Sequence, residues 1–383
     1  MSVIGMDLRG LQDGFKAHKK RGIGVYIRNL AQRARLAPRG FSVKFFFDPE
    51  LEAEEPVALG AQPFDTRLVA PFRRFMPQYA WQHFALRPVI RSAAKKGGLA
   101  GFYYPSHLDV PVGTGIPYAV TAHDMIQAAM GEMYKSLKHR AHVAKQISAL
   151  RGASAIIAIS AHTKNDVVKY AGVDPEKVTV AHLGFDPEFN PSATADLSRF
   201  GLPPRFVLNV GGIDPRKNMS LLFSAFAALA QKEPDFHLAM TGALEEDPQF
   251  VKFKREMDAR GLSGRVRTLG YVTQKELAAL YARAWIMFYP SVYEGFGLPA
   301  LEAMACGAPV ITTNRSSLPE VAGDAALALD PDRPELFSEA LLRLAQDPQE
   351  RERLRRAGPA QAARFSWDNH AKTVWGVLEK TFG

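Results

Sequence analysis

Residues 289–309 read YPSVYEGFGLPALEAMACGAP, and the fold turns on how they are read. The stretch joins an apolar, strand-like run at residues 285–289 to a glycine-bracketed turn, Glu294-Gly295-Phe296-Gly297, and then to a helix expected to open near Leu298. Pro299 suits a first helical turn, where a missing N–H costs nothing. A strand, a glycine turn and a helix N-terminus together present unpaired backbone N–H groups and the positive end of a helix dipole, which makes an anion site. Two carboxylates flank it, Glu294 before the turn and Glu302 on the helix, with seven residues between them. Carboxylates beside an anion site are suited to accepting hydrogen bonds from hydroxyls. The implied ligand is phosphate joined to a polyol, and a sugar nucleotide fits.

The same order of strand, glycines and helix appears upstream. Residues 206–226, FVLNVGGIDPRKNMSLLFSAF, read as a strand ending at Gly211 and Gly212 and a helix starting near Asn218, with Arg216 and Lys217 at its entrance. Cations and backbone N–H groups placed there can neutralise a diphosphate together. A helix dipole repels cations at that end, so the pair calls for an anion. Further strands are expected at residues 237–242, 265–270 and 310–313, and a helix over TQKELAALYARA, residues 273–284.

In the N-terminal half, strand-like runs at residues 3–8, 43–47, 101–105, 117–122, 154–160 and 178–184 alternate with helical segments. That alternation argues for a parallel sheet wound with helices, which binds ligands at the carboxyl ends of its strands. Two loops fall there: the basic segment LQDGFKAHKKRGIG with its Gly22-Ile23-Gly24 turn, and the pair His123-Asp124 closing an apolar strand. Asp124 is placed to accept an N–H from the His123 ring. Ser160 or Thr163 caps the helix that follows them. A run of Asn, Pro, Ser and Thr at residues 190–194 reads as a linker. It divides the chain into a basic domain at 1–190, a second domain at 191–365 and a terminal helix at 366–383.

The Glu, seven residues, Glu pattern, set among its glycines, Pro299 and the following Gly307-Ala308-Pro309-Val310, resembles the signature of the retaining GT-B glycosyltransferases, glycosyltransferase family 4. The match runs through the C-terminal half and more loosely through the N-terminal half. The resemblance implies an α/β fold of two Rossmann-like domains facing across a cleft, with the C-terminal helix crossing back to the N-terminal domain. It implies a nucleotide diphosphate sugar bound by the C-terminal domain at Gly211, Gly212, Gly295, Phe296, Gly297, Leu298 and Glu302, with Glu302 accepting from the ribose hydroxyls. Glu294 and His123 would hold the sugar, and Arg216 and Lys217 would take the charge building on the departing diphosphate. Gly22, Ile23, Gly24 and Asp124 fall on the acceptor side of the cleft, and the base would lie against residues 270–272. Many members carry Arg directly after the first glycine, where this chain has Gly212, and Arg216 is the substitute. The activity implied is transfer of a mannose- or glucose-type hexose, with retention, to a hydroxyl of a cell-envelope glycan or lipid-linked acceptor. It needs no metal and no cofactor besides the donor substrate. Two other readings stand beside it, a nucleotide-sugar epimerase on the same fold and a non-catalytic sugar-nucleotide or lipid-binding protein.

Composition bounds these readings. The 383 residues are 47% apolar, enough to fill two cores. No run of 18 apolar residues spans a bilayer, and the N-terminus MSVIGMDLRG reads as a strand and not a signal peptide. The net charge of +9 lies wholly in residues 1–190, which hold 25 Lys and Arg against 16 Asp and Glu; the remainder holds 23 of each. A basic half beside a neutral one faces an anionic partner. Zinc-ligand spacing, an RNP-like motif and a helix-turn-helix pattern are all missing, which sets nucleic acid aside. Residues 71–96 mix aromatics with Arg and Lys, a combination suited to a lipid interface or to a helix packing its aromatics inward. The single cysteine, Cys306, excludes an internal disulfide and fits reducing cytoplasm; the basic half and the 71–96 stretch add peripheral attachment to the inner face of the membrane. Asp330-Pro331-Asp332 matches a metal motif of another glycosyltransferase fold, but in this Pro-flanked turn N-capping explains it.

Overall fold

The structure, a computed structural model, describes residues 2–15, 22–67, 69–76, 80–81, 85–111, 113–131 and 136–383. The chain divides into two compact units, one formed by residues 1–184 with Ser366–Gly383 and the other by Phe185–Phe365.

In the first unit, β1 (Ser2–Asp7), β2 (Phe41–Phe47), β3 (Gln62–Pro63), β4 (Gly101–Tyr104), β5 (Tyr118–Ala122), β6 (Ala155–Ala158) and β7 (Val178–Val180) form a sheet. Its order is β3-β2-β1-β4-β5-β6-β7, and every pairing is parallel. Every residue of β4 and β6 is buried, the signature of strands covered on both faces. One face packs Phe46, Phe102, Val120 and Ile156 against Trp81, Leu86, Ile90 and Leu150. The terminal helix Trp367–Phe382, capped by Ser366, belongs to this unit and packs on β1 and on the helix Gly22–Gln32. Its buried Trp375 donates Nε1–H to the Arg33 carbonyl at 3.1 Å, and Asp368 pairs with Arg33 at 2.7 Å. At Gly184 a Cβ would sit 2.1 Å from the Trp367 nitrogen, so only glycine lets the two backbone segments lie side by side.

In the second unit, β8 (Phe206–Val210), β9 (His237–Thr241), β10 (Val266–Thr268), β11 (Ile286–Tyr289), β12 (Val310–Thr313) and β13 (Leu327–Leu329) are again all parallel, in the order β10-β9-β8-β11-β12-β13. Its core joins Val207, Leu238, Ile286, Phe288 and Ile311 to helix residues such as Leu222, Phe226 and Leu341. The helix Pro348–Ala362 presses Gly358 onto the helix Leu298–Ala305, where a Cβ would meet the Met304 carbonyl oxygen at 2.8 Å. Chain order reverses between β1 and β4 in one sheet and between β8 and β11 in the other. Open parallel sheets bind ligands beyond the carboxyl ends of their strands at these reversals.

Every strand expected from sequence is present: β7 stops four residues short of the expected 184, β12 matches, and β2 starts two residues earlier than expected, at Phe41. The two that were not expected, β3 and β13, are two- and three-residue edge strands. The Gly22-Ile23-Gly24 run is not a turn but the first turn of the helix Gly22–Gln32, and residues 16–21 of the basic loop lie outside the described residues. Of the 71–96 stretch, residues 77–79 and 82–84 also lie outside them. The rest splits between the two readings. Trp81 is buried and donates to Asp48 Oδ2 at 2.7 Å, while Phe72 and Phe75 are exposed. Asp330 does not cap a helix: the next one begins at Pro334 behind Arg333, and the carboxylates of Asp330 and Asp332 share the Arg315 guanidinium at 2.8 and 2.6 Å.

Candidate active site

The reversal between β8 and β11 gathers most of the residues singled out from sequence. After β8, Gly211 takes φ +130°, a conformation that disfavours side chains, and the Asp214 carboxylate caps a short 3-10 turn, Pro215–Lys217, by accepting the Arg216 N–H at 3.0 Å. This turn delivers Arg216 and Lys217 just before the helix Met219–Lys232. After β11, the Val292 N–H donates to the Arg216 carbonyl at 2.7 Å and ties the two loops together. Gly297, at φ +104°, then opens the helix Leu298–Ala305; a Cβ there would lie 2.8 Å from Leu318 Cδ2, so both conformation and space demand glycine.

Glu294 lies at the centre of this arrangement. Its Oε1 accepts from Lys217 Nζ at 2.6 Å, Tyr289 Oη at 2.7 Å and Ser291 Oγ at 2.7 Å, while Oε2 accepts from Arg216 Nη1 at 2.8 Å. Burial by itself would raise this carboxyl's pKa, but the two cations outweigh it and hold Glu294 at about 2. Burial lowers the Lys217 ammonium, with Glu294 opposing. The Tyr289 phenol is driven well up by burial and by the adjacent carboxylate. Glu294 therefore supplies the anion that the two cations were expected to require.

The turn is braced from the loop after β12. Ser316 Oγ accepts the Glu294 N–H at 2.9 Å, and Ser317 Oγ lies 2.9 and 2.8 Å from the Glu294 and Phe296 carbonyls. Phe296 turns its ring into the core, edge-on to Phe365 at 5.7 Å, which leaves only its backbone for a ligand. Glu302, on the helix behind Gly297, is partly buried and lies 3.4 Å from Tyr281 Oη. Burial, reinforced by Asp186, pushes its carboxyl up to about 8.

Known proteins share this arrangement of sequence and fold. The family described as "Glycosyl transferases group 1" matches residues 197–361, and "Glycosyltransferase Family 4" matches residues 20–189. O-antigen chain mannosyltransferase B of Escherichia coli is 32% identical over 274 residues, which cover 70% of either chain. The chain belongs to the group 1 glycosyltransferases of family 4. A second relative of this glycosyltransferase, the MMP alpha-(1->4)-mannosyltransferase of Mycolicibacterium hassiacum, is 29% identical over 94% of each chain. The Anabaena HepE structure in complex with UDP and glucose superposes with a TM-score of 0.73 at 18% identity, covering 99% of both chains, and shares the two-domain GT-B fold.

The enzyme's other expected residues lie in the first unit. His123 follows β5, is buried, and its Nε2–H donates to the Pro105 carbonyl at 2.8 Å; Asp124 Oδ1 accepts the Ile126 N–H at 3.1 Å. Tyr26, on the Gly22–Gln32 helix, stands edge-on to His123 at 4.8 Å and to His370 of the terminal helix at 5.0 Å. Ser160 caps the helix Ala161–Asp166, accepting the Thr163 N–H at 3.0 Å. Sequence reasoning missed Tyr289, Ser291, Ser316 and Ser317. The first two lie inside the quoted stretch, and their hydroxyls beside Glu294 were the available signal. Among the described residues, no group of three or more His, Cys, Asp or Glu could hold a metal ion, and no helix is long and apolar enough to cross a membrane.

Proposed function

We propose that this glycosyltransferase is a retaining hexosyltransferase, which moves a mannose-type sugar from a nucleotide diphosphate donor to a hydroxyl of a cell-envelope glycan or lipid-linked acceptor. One observation carries the reading: Arg216, Lys217 and Glu294 converge at the β8/β11 reversal beside the N-terminus of the Leu298–Ala305 helix. The two mannosyltransferase relatives support the choice of sugar, and their transferase activity favours transfer over epimerisation.

Arg216, Lys217 and the residue 297–298 backbone meet the charge that develops on the leaving diphosphate, so the proposed mechanism calls on no divalent ion. Each oxygen of a carboxylate offers about two acceptor positions. Oε1 of Glu294 takes three hydrogen bonds and Oε2 takes one, which leaves Oε2 able to accept from a sugar hydroxyl. A carboxylate so engaged, held at about 2, is a poor nucleophile, which supports front-face attack assisted by the leaving phosphate over a glycosidase-like covalent intermediate. The Pro105 carbonyl accepts Nε2–H of His123, which fixes the ring at the end of β5. Glu302 accepts from the ribose.

The excess charge of residues 1–190 and the exposed Phe72 and Phe75 support docking of the first unit on an anionic membrane face. Flotation with vesicles containing anionic phospholipid tests this at low salt, and protein that stays unbound removes it. For the main reading, a thermal-shift panel of nucleotide sugars should show one donor stabilising the chain at low concentration. NMR of the product should show the anomeric configuration of that donor. An inverted product or a silent panel would overturn the reading.

A further inference from the structure

We propose that Tyr289 is a positioning residue of the donor-phosphate site, its hydroxyl keeping Lys217 aimed at the diphosphate while Glu294 takes up a sugar hydroxyl. The inference rests on the donor-site reading above. Tyr289 is the last residue of β11 and is 1% exposed. Its Oη donates to Glu294 Oε1 at 2.7 Å and accepts from Lys217 Nζ, while Nζ also sits 4.2 Å from the centre of the phenol ring. A lysine side chain has four rotatable carbons, so its ammonium is placed only where several contacts agree. Here the ring face, Oη and Oε1 agree. An ammonium has three N–H donors. Two are engaged by Tyr289 and Glu294, and the third has no acceptor among the described residues.

A sugar hydroxyl accepted by Oε2 of Glu294 draws on the same carboxylate charge and weakens its hold on Lys217 at Oε1. Of the Lys217 partners, only a hydroxyl both donates and accepts, so Tyr289 can hold the ammonium whether or not Glu294 does. Without Oη, a buried Lys217 would lose an acceptor that favours its charged form, in a setting where burial already works against that form.

Tyr289→Phe keeps the ring, its π-face and its volume. The probe is whichever of ADP, GDP and UDP binds the wild type, titrated by calorimetry between about pH 6 and 10. In the wild type, affinity should fall on the alkaline side as Lys217 deprotonates, and Lys217→Met should remove that fall. In Tyr289→Phe the fall should move to lower pH, with affinity lower by roughly tenfold near its midpoint. In the Lys217→Met background the same substitution should do nothing, because the two side chains act as one unit. An alkaline limb unchanged by Tyr289→Phe, or equal losses in both backgrounds, would overturn the proposal and leave the donor site standing. If none of the three nucleotides binds the wild type, the donor-site reading fails and takes this inference with it.

Discussion

Replacing Glu294 tests both the charge arrangement and the chemistry, and the choice of substitute matters. Alanine at 294 leaves Arg216 and Lys217 facing each other without their shared carboxylate, in a setting where Lys217 is already resisted by burial. Holding a carboxyl at about 2 in place of 4.5 corresponds to roughly 3 kcal/mol of folded-state stabilisation at neutral pH. That agrees with about 3–5 kcal/mol for removing one partner of a buried pair. A unit the size of Phe185–Phe365 loses about 2–4 °C per kcal/mol, so Glu294→Ala should lower its unfolding temperature by roughly 6–12 °C. The sign of the pH dependence follows. A carboxyl whose folded pKa is depressed contributes above 4.5 and loses its contribution as pH falls towards 2, so the gap between wild type and Glu294→Ala should narrow on acidification. Glu294→Gln keeps an acceptor oxygen and the shape, and should unfold closer to wild type while losing transfer. Thermal unfolding by circular dichroism at pH 7 and pH 4, with turnover measured in parallel, decides it. An alanine variant as stable as wild type at pH 7 would show that Glu294 is not the anion between those cations.

Three further outcomes are expected. Glu302, raised to about 8, keeps its proton in the folded chain where the unfolded chain releases it, so its contribution to stability falls as pH rises from 4.5 through 8. The proposed ribose contact is stronger to the ionised carboxylate, so on that reading nucleotide binding near pH 7 should release a proton and tighten as pH approaches 8; calorimetry in buffers of different ionisation heat should detect no such release in Glu302→Gln. Asp7→Ala should cost about 3–5 kcal/mol, because it strips the fully buried Arg9 of the carboxylate that pairs with it at 2.6 Å, and denaturant titration would refute this with an unchanged midpoint. Gly297→Ala should destabilise by about 1–3 kcal/mol through its positive φ and the Leu318 contact, and should weaken nucleotide binding measured by fluorescence or calorimetry.

The strands were legible because a parallel sheet covered on both faces writes itself as short apolar runs, as in β6 and β11. Helix starts were legible where chemistry marks them: Pro299 in the first turn, and Thr273 with Glu276 forming a reciprocal capping box. Both glutamates and both cations could be named because spacing and glycines frame them. Their mutual arrangement could not be read, since Lys217 and Glu294 are 77 residues apart and meet only when β8 and β11 pair. The bracing serines were illegible for the same reason. Ser316 and Ser317 look like any loop hydroxyls until β12 lies beside β11. Asp330 misled because a polar residue ahead of a helix caps it only from one place in the chain, and here that place belongs to Arg333.

The glycine at 184 has a consequence for how this protein can be taken apart. Residues 185–365 amount to an insertion within a Rossmann-like host, and the outgoing and returning chain lie against each other where Gly184 meets Ser366 and Trp367. An inserted domain whose ends start together suits excision and circular permutation. Cutting at that doorway yields a fragment with its own sheet, its own core and the residues proposed to hold the nucleotide, Arg216, Lys217, Glu294 and Glu302. Ligand selectivity can then be engineered on the fragment alone and the result spliced back through a single seam.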